Sequence, residues 1–173
     1  TLDTLNTGDA RLQAAIDRAQ ETYAPLWDRY AEHFAKQDVI YTMASGASYG
    51  AAYSFAICVL MEMQWIHSSA IHSGEYFHGP FEITDDRTAF LVLKSVGRTR
   101  ALDERAIRFL QKHGKRFEIL DSEKLGLGAL DPKVAEYFNG ILHTCVLDVY
   151  NQKLAVARNH PLSERRYMWR EEY

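Results

Sequence analysis

The sequence is poor in cysteine and proline, with two and four respectively in 173 residues, and it has no marked charge excess. Each absence excludes something. No uninterrupted apolar run approaches the roughly 20 residues of a membrane span, and no basic-then-apolar segment opens the chain, so no membrane partner is expected. A formal net charge of -3 provides no basic footprint for nucleic acid or for an anionic bilayer. The cysteines, Cys58 and Cys145, fall in apolar helical stretches with no neighbouring nucleophile or ligand pattern. They are expected to be buried thiols in a reducing, cytoplasmic compartment. The length suits one well-packed domain and is short for two.

What is present is periodic. Leu12, Ile16, Ala19, Tyr23, Leu26, Tyr30 and Phe34 recur at steps of three and four, which predicts an amphipathic helix, with a kink or break at Pro25. The period then changes. Residues 39–45 (VIYTMAS) read as a strand, with Ser48 capping a helix to about Trp65 that is apolar nearly all round and so expected to be buried. Further strands are expected at 68–73, 89–94 (AFLVLK) and 116–120. An amphipathic helix is expected at 99–113, ended by Gly114. Asp131-Pro132 supplies a cap and a proline for a last long helix reaching about Asn159. Strands alternating with helices predict an α/β fold: a mostly parallel sheet covered on both faces, with a helical lead-in. Ligands of such sheets bind beyond the carboxyl ends of the strands.

Several segments carry residues suited to chemistry. The turn Ser45-Gly46-Ala47-Ser48 joins a strand to a helix, where backbone amides and hydroxyls can meet an anion. Such turns are common in α/β proteins, and a purely structural role is the plainer reading. Lys94 to Thr99 repeats the arrangement, and Arg98 and Arg100 there also fit a solvated helix start. Between them lie Glu62, His67, His72, Glu75 and His78. Glu62 interrupts an apolar helix, so its carboxylate must find partners or a raised pKa, as a general base near neutral pH does. A glutamate at a helix end reaching solvent is the plain alternative. The histidine spacings match no standard zinc pattern, and no metal is expected. The tail Arg165-Arg166-Tyr167-Met168-Trp169-Arg170 is dense in arginine and aromatics and is expected to dock on the protein rather than fray.

The stretch SGEYFHGPFE, with Glu62 sixteen residues before His78, resembles the second sugar-isomerase (SIS) domain of glucosamine-6-phosphate synthase and its relatives. The likeness to fructosamine-6-phosphate deglycases covers almost the whole chain, through VIYTMASGASYGAAY, CVLMEMQWIHSSAIHSGEYFHGPFEI and HPLSERRYMW, and is nearer the fructose-aspartate than the fructoselysine branch. The resemblance implies a three-layer α/β/α SIS fold over residues 1–173, equivalent to the second of two SIS domains, with the first domain absent. It implies Glu62 as general base and His78 as general acid on a fructosamine 6-phosphate, with no cofactor. It also implies a homodimer whose sites draw His78 from the neighbouring subunit. Ser45, Gly46 and Ser48 are carried as candidate substrate contacts, because Lys94 to Thr99 departs from the family's phosphate loop. An aldose-ketose isomerase, the isomerase half of an amidotransferase and a non-catalytic sugar-phosphate sensor remain alternatives.

Overall fold

The computed structural model describes residues 2–172, apart from the side chains of residues 2–10, Thr22 and Pro25. Helix α1 (Leu2–Ala35) leads into β1 (Val39–Ala44), and α2 (Ser48–Ser54) continues as π-helical turns over Phe55–Met63. Strands β2 (His67–His72) and β3 (Ala89–Lys94) follow, separated by two short 3-10 turns. Then come α3 (Arg100–His113), β4 (Arg116–Asp121), the single turn α4 (Pro132–Ala135) and α5 (Asn139–Arg158).

The four strands are parallel, in the order β2-β1-β3-β4. Strand β3 shows why the sheet is covered on both sides. Its residues alternate between faces, and both sets are buried. Ala89, Leu91 and Leu93 pack with Ile40, Leu120 and the buried residues of α1, α2 and α5. Phe90 and Val92 pack with Met43, Tyr76 and the α3 residues Ala106, Ile107 and Leu110. Each fully buried leucine contributes about 2 kcal/mol of transfer free energy. The result is the three-layer α/β/α arrangement expected from the sequence.

Four local expectations need correction. The α1 backbone runs unbroken through position 25, held by packing on α5, although the Pro25 side chain lies outside the described residues. Ser48 does not cap α2: the cap position is Ala47, without a side-chain bond, because the Ser48 hydroxyl is drawn inward. The helix after β1 is not wholly buried. Tyr53 and Cys58 face outward and Cys145 is only half-buried, so the cysteines are not core thiols. Finally, the last helix is divided, with a 3-10 turn at Glu136–Phe138 between α4 and α5, while Asp131 does cap its start by accepting from the Lys133 amide at 2.9 Å.

Candidate active site

The candidate residues fall at opposite ends of the sheet. Serines 45, 48 and 95 lie beyond the carboxyl ends of β1 and β3, where the strand order reverses and a ligand is ordinarily sought. That end carries a buried polar network. Ser95 Oγ lies 2.9 Å from Ser48 Oγ and 3.1 Å from the Ser45 carbonyl, and Ser48 Oγ is 2.9 Å from His143 Nδ1. His143 Nε2 is 3.0 Å from the Leu120 carbonyl, which can only accept, so this nitrogen carries the proton and Nδ1 accepts from Ser48. All four polar side chains, from Ser45, Ser48, Ser95 and His143, are fully buried. Burial pushes the His143 pKa down to about 4, against the opposing pull of the Leu120 carbonyl and Asp121. The ring is therefore neutral. Gly46, at φ +53, closes the turn against Thr99, and a Cβ there would lie 2.6 Å from the Thr99 hydroxyl oxygen. Ser45 Oγ donates to the Thr99 carbonyl at 3.2 Å, so the hydroxyls of Ser45 and Ser48 both have protein partners.

The neighbouring loop is equally occupied. Asp103 accepts from Ser73 Oγ at 2.6 Å and from the Ser95 amide at 2.9 Å, tying β2 and β3 to α3. Arg98 pairs with Glu136, while Arg100 forks onto Asp121 at 2.8 and 3.0 Å. Burial would raise the Asp121 pKa, but Arg100 and Lys94 outweigh it and hold it below its ordinary value.

Glu62 lies elsewhere. The crossover helix starts at the carboxyl ends of the strands and descends the sheet, so its last turn reaches their amino ends beside His67. Here the backbone is unusual. The Phe55–Met63 turns are π-helical, a form often found at functional sites, and Trp65 follows at φ 54, a left-handed conformation costly for a bulky residue. The surroundings hold it there. Gln64 donates from its side chain to the His160 carbonyl at 3.1 Å, and Arg158 donates to the Gln64 carbonyl at 3.3 Å. The His160 ring meets the Trp65 ring edge-on at 4.5 Å.

The C-terminal tail completes this corner, docking through its arginines while Tyr167 and Trp169 stay exposed. Arg165 is buried, with Nη2 at 3.3 Å from Glu62 Oε1 and Nη1 donating to the Leu162 and Glu164 carbonyls. Arg166 lies over the Trp65 ring, 4.3 Å from its centroid. Together Met61, Glu62, Trp65, His67, Arg165 and Arg166 line an open cleft of about 440 Å³. The partner that a carboxylate in an apolar helix requires is Arg165, which the sequence marked only as part of a basic tail.

His78 does not line this cleft. It is exposed at the end of the Tyr76–His78 turn. Tyr76 anchors that turn against Phe90 and Phe109 on the α3 face, with its hydroxyl on Thr84 Oγ1. Of the remaining candidates, His72 accepts from the Gly74 amide at 3.1 Å and Glu75 is exposed. Among the described residues no group of three or more His, Cys, Asp or Glu is arranged to hold a metal ion, and no helix is long and apolar enough to cross a membrane.

No protein-family model matches the sequence. Individual proteins do. Fructosamine deglycase FrlB of Bacillus subtilis (strain 168) is 50% identical over 163 residues, covering 94% of this chain and 50% of that protein. Fructoselysine 6-phosphate deglycase of Escherichia coli (strain K12) is 29% identical over 157 residues, covering 91% and 45% respectively. A crystal structure from Salmonella typhimurium LT2, of a protein assigned by inference as a phosphosugar isomerase, superposes with a TM-score of 0.95 at 52% identity. It covers 99% of this chain and 53% of that one. The chain spans about half the length of the curated relatives it matches. With this identity over nearly all its residues and a four-stranded parallel sheet of matching fold, the chain belongs to the SIS-domain proteins of the fructosamine deglycase-like kind.

Proposed function

We propose that this chain supplies the acid-base half of a fructosamine 6-phosphate deglycase built from two SIS domains, of which it is the second. The observation that carries the reading is Glu62, a carboxylate delivered by a π-helical turn to an open cleft and held there by Arg165. The similarity to FrlB supports the substrate class.

The chemistry follows from the residue types. A 1-amino-1-deoxyfructose 6-phosphate has acidic protons on carbon 1, beside the carbonyl of its open form. Glu62 removes one of them while His78 protonates the carbonyl oxygen, giving an enolamine. Return of the proton to carbon 2 gives the Schiff base of an aldose, and water cleaves it to glucose 6-phosphate and the free amino acid. One base and one acid on opposite sides of the reacting carbons suffice.

Within one chain Glu62 and His78 do not share a cleft. The reading therefore requires His78 to come from the neighbouring subunit of a homodimer, and its exposed position is compatible with that. This reading assigns no role to Ser45, Gly46 and Ser48, whose hydroxyls and turn already have partners within the chain. The sequence is nearer the fructose-aspartate branch, which does not by itself assign the amino acid, and the compartment is read as the cytoplasm.

The test is release of glucose 6-phosphate by the two-domain protein from fructose-aspartate 6-phosphate and from fructoselysine 6-phosphate, with Glu62→Gln and His78→Ala variants alongside. The expected result is release from one of the two conjugates and a loss of roughly a hundredfold or more in each variant. Release unaffected by both substitutions, or no release from either conjugate, refutes the assignment. Mixing the two variants is informative too: complementary sites in a mixed dimer restore part of the activity only if His78 crosses between subunits.

A further inference from the structure

The cleft beside Glu62 holds more positive charge than that carboxylate uses. Arg165 gives Nη2 to Glu62 and Nη1 to two carbonyls, yet its Nε is buried with no partner. Arg166 lines the same cleft and forms no ion pair among the described residues. His67, exposed at the start of β2, adds an imidazole. One carboxylate therefore faces two guanidiniums and a ring nitrogen donor.

The floor is also built. Trp65 keeps a left-handed backbone, and its indole contacts both the His160 ring and the Arg166 guanidinium. The Arg166 guanidinium sits over the ring and has no hydrogen-bond or ion-pair partner among the described residues. A planar fork suits two oxygens of a carboxylate or phosphate. The neighbouring Arg165 charge favours an anion at the same place.

We propose that the cleft formed by Trp65, His67, Arg165 and Arg166 is an anion subsite that binds a carboxylate or phosphate group of the substrate next to Glu62. The identity of that group rests on the deglycase reading, since a fructosamine 6-phosphate of an acidic amino acid carries both kinds. The subsite itself rests on the cleft alone. Its location makes the C-terminal segment, residues 161–170, part of the binding surface.

The experiment follows the three tryptophan indole N–H signals of this chain by NMR, at constant ionic strength, during titration with aspartate, inorganic phosphate or glucose 6-phosphate. Trp27 is buried and reports on the fold. The Trp65 signal should shift saturably with at least one of these anions. Arg166→Ala should weaken that response by roughly tenfold or more, the usual worth of a charge-assisted pair, and Arg166→Lys should fall between the two. The Trp27 signal should stay in place. A response to aspartate alone identifies a carboxylate subsite. A response to phosphate and glucose 6-phosphate, but not aspartate, identifies a phosphate subsite. No saturable shift with any anion, or a shift that survives Arg166→Ala unchanged, overturns the proposal. Binding without release of glucose 6-phosphate by the two-domain protein would remove the deglycase reading and leave the subsite. Release without an anion response would do the reverse.

Discussion

Replacing His143 with glutamine should remove a defined part of the fold's sensitivity to acid. The imidazole is fully buried, and its pKa is pushed down from 6.5 to about 4. An unfolded chain takes up a proton near pH 6.5, whereas the folded chain refuses it until about pH 4. Stability contributed by the neutral ring is therefore complete above pH 6.5 and lost progressively as the pH falls toward 4. Each pH unit that separates the folded and unfolded pKa values is worth about 1.4 kcal/mol. The full loss is then about 3 kcal/mol, of which about 2 kcal/mol falls between pH 7 and pH 5. Glutamine does not titrate and keeps a nitrogen to donate toward the Leu120 carbonyl. It leaves the Ser48 hydroxyl without its acceptor, at a cost of about 1 to 2 kcal/mol at pH 7. Urea unfolding at pH 7, 6 and 5 measures both effects. The wild type should lose about 2 kcal/mol more than the variant over that interval. Glu118 acts in the opposite sense: burial raises its pKa to about 6, so the fold gains stability as the pH falls through that value. It is common to both proteins and cancels in the difference. Parallel stability curves for the two proteins would refute the account of a neutral, sealed imidazole.

Two further outcomes follow from contacts described above. Arg165→Met leaves Glu62 without its partner and frees the tail, and it should cost about 1 kcal/mol, because the pair is partly screened by solvent. The melting midpoint should fall by about 2 to 4 °C and trypsin should cut faster after Arg166; unchanged cleavage would mean the tail docks by other contacts. Gly97→Ala places a methyl group at φ +91, 2.5 Å from Glu136 Cβ, so the 95–99 loop must separate from the 3-10 turn at Glu136–Phe138. A loss of about 2 kcal/mol in urea unfolding is expected, and a variant as stable as the wild type would show that the loop yields without cost.

Elements governed by local rules were legible in the sequence. Strand β3 matches its expected span, residue for residue, because AFLVLK has no alternative as a continuous buried run. Asp131 caps the last helical segment as its Asp-Pro signature requires. What could not be read depends on residues far apart in sequence. Ser48 has the chemistry of a cap, but His143, 95 residues away, takes its hydroxyl. Pro25 has the chemistry of a break, yet packing of α1 on α5 carries the backbone through it. Glu62 was conspicuous as a charge in an apolar helix, whereas its partner Arg165 lay in a tail with nothing to indicate where it would land. His143 itself, a histidine within the apolar run GILHTCVL, is a signal that could have been followed to the buried network.

The π-helical stretch before Glu62 has a consequence for which changes the chain can absorb. An α-helix turns by about 100° per residue, and the wider π turns of Phe55–Met63 turn by less. The bearing of the Glu62 carboxylate is thus fixed by how many residues precede it in these wide turns as much as by what they are. Exchanging one apolar side chain for another of similar size leaves that bearing alone. Removing a single residue shifts every later side chain by about a quarter turn around the axis, taking the carboxylate away from Arg165 while the helix persists. Length, here, is a property of the site.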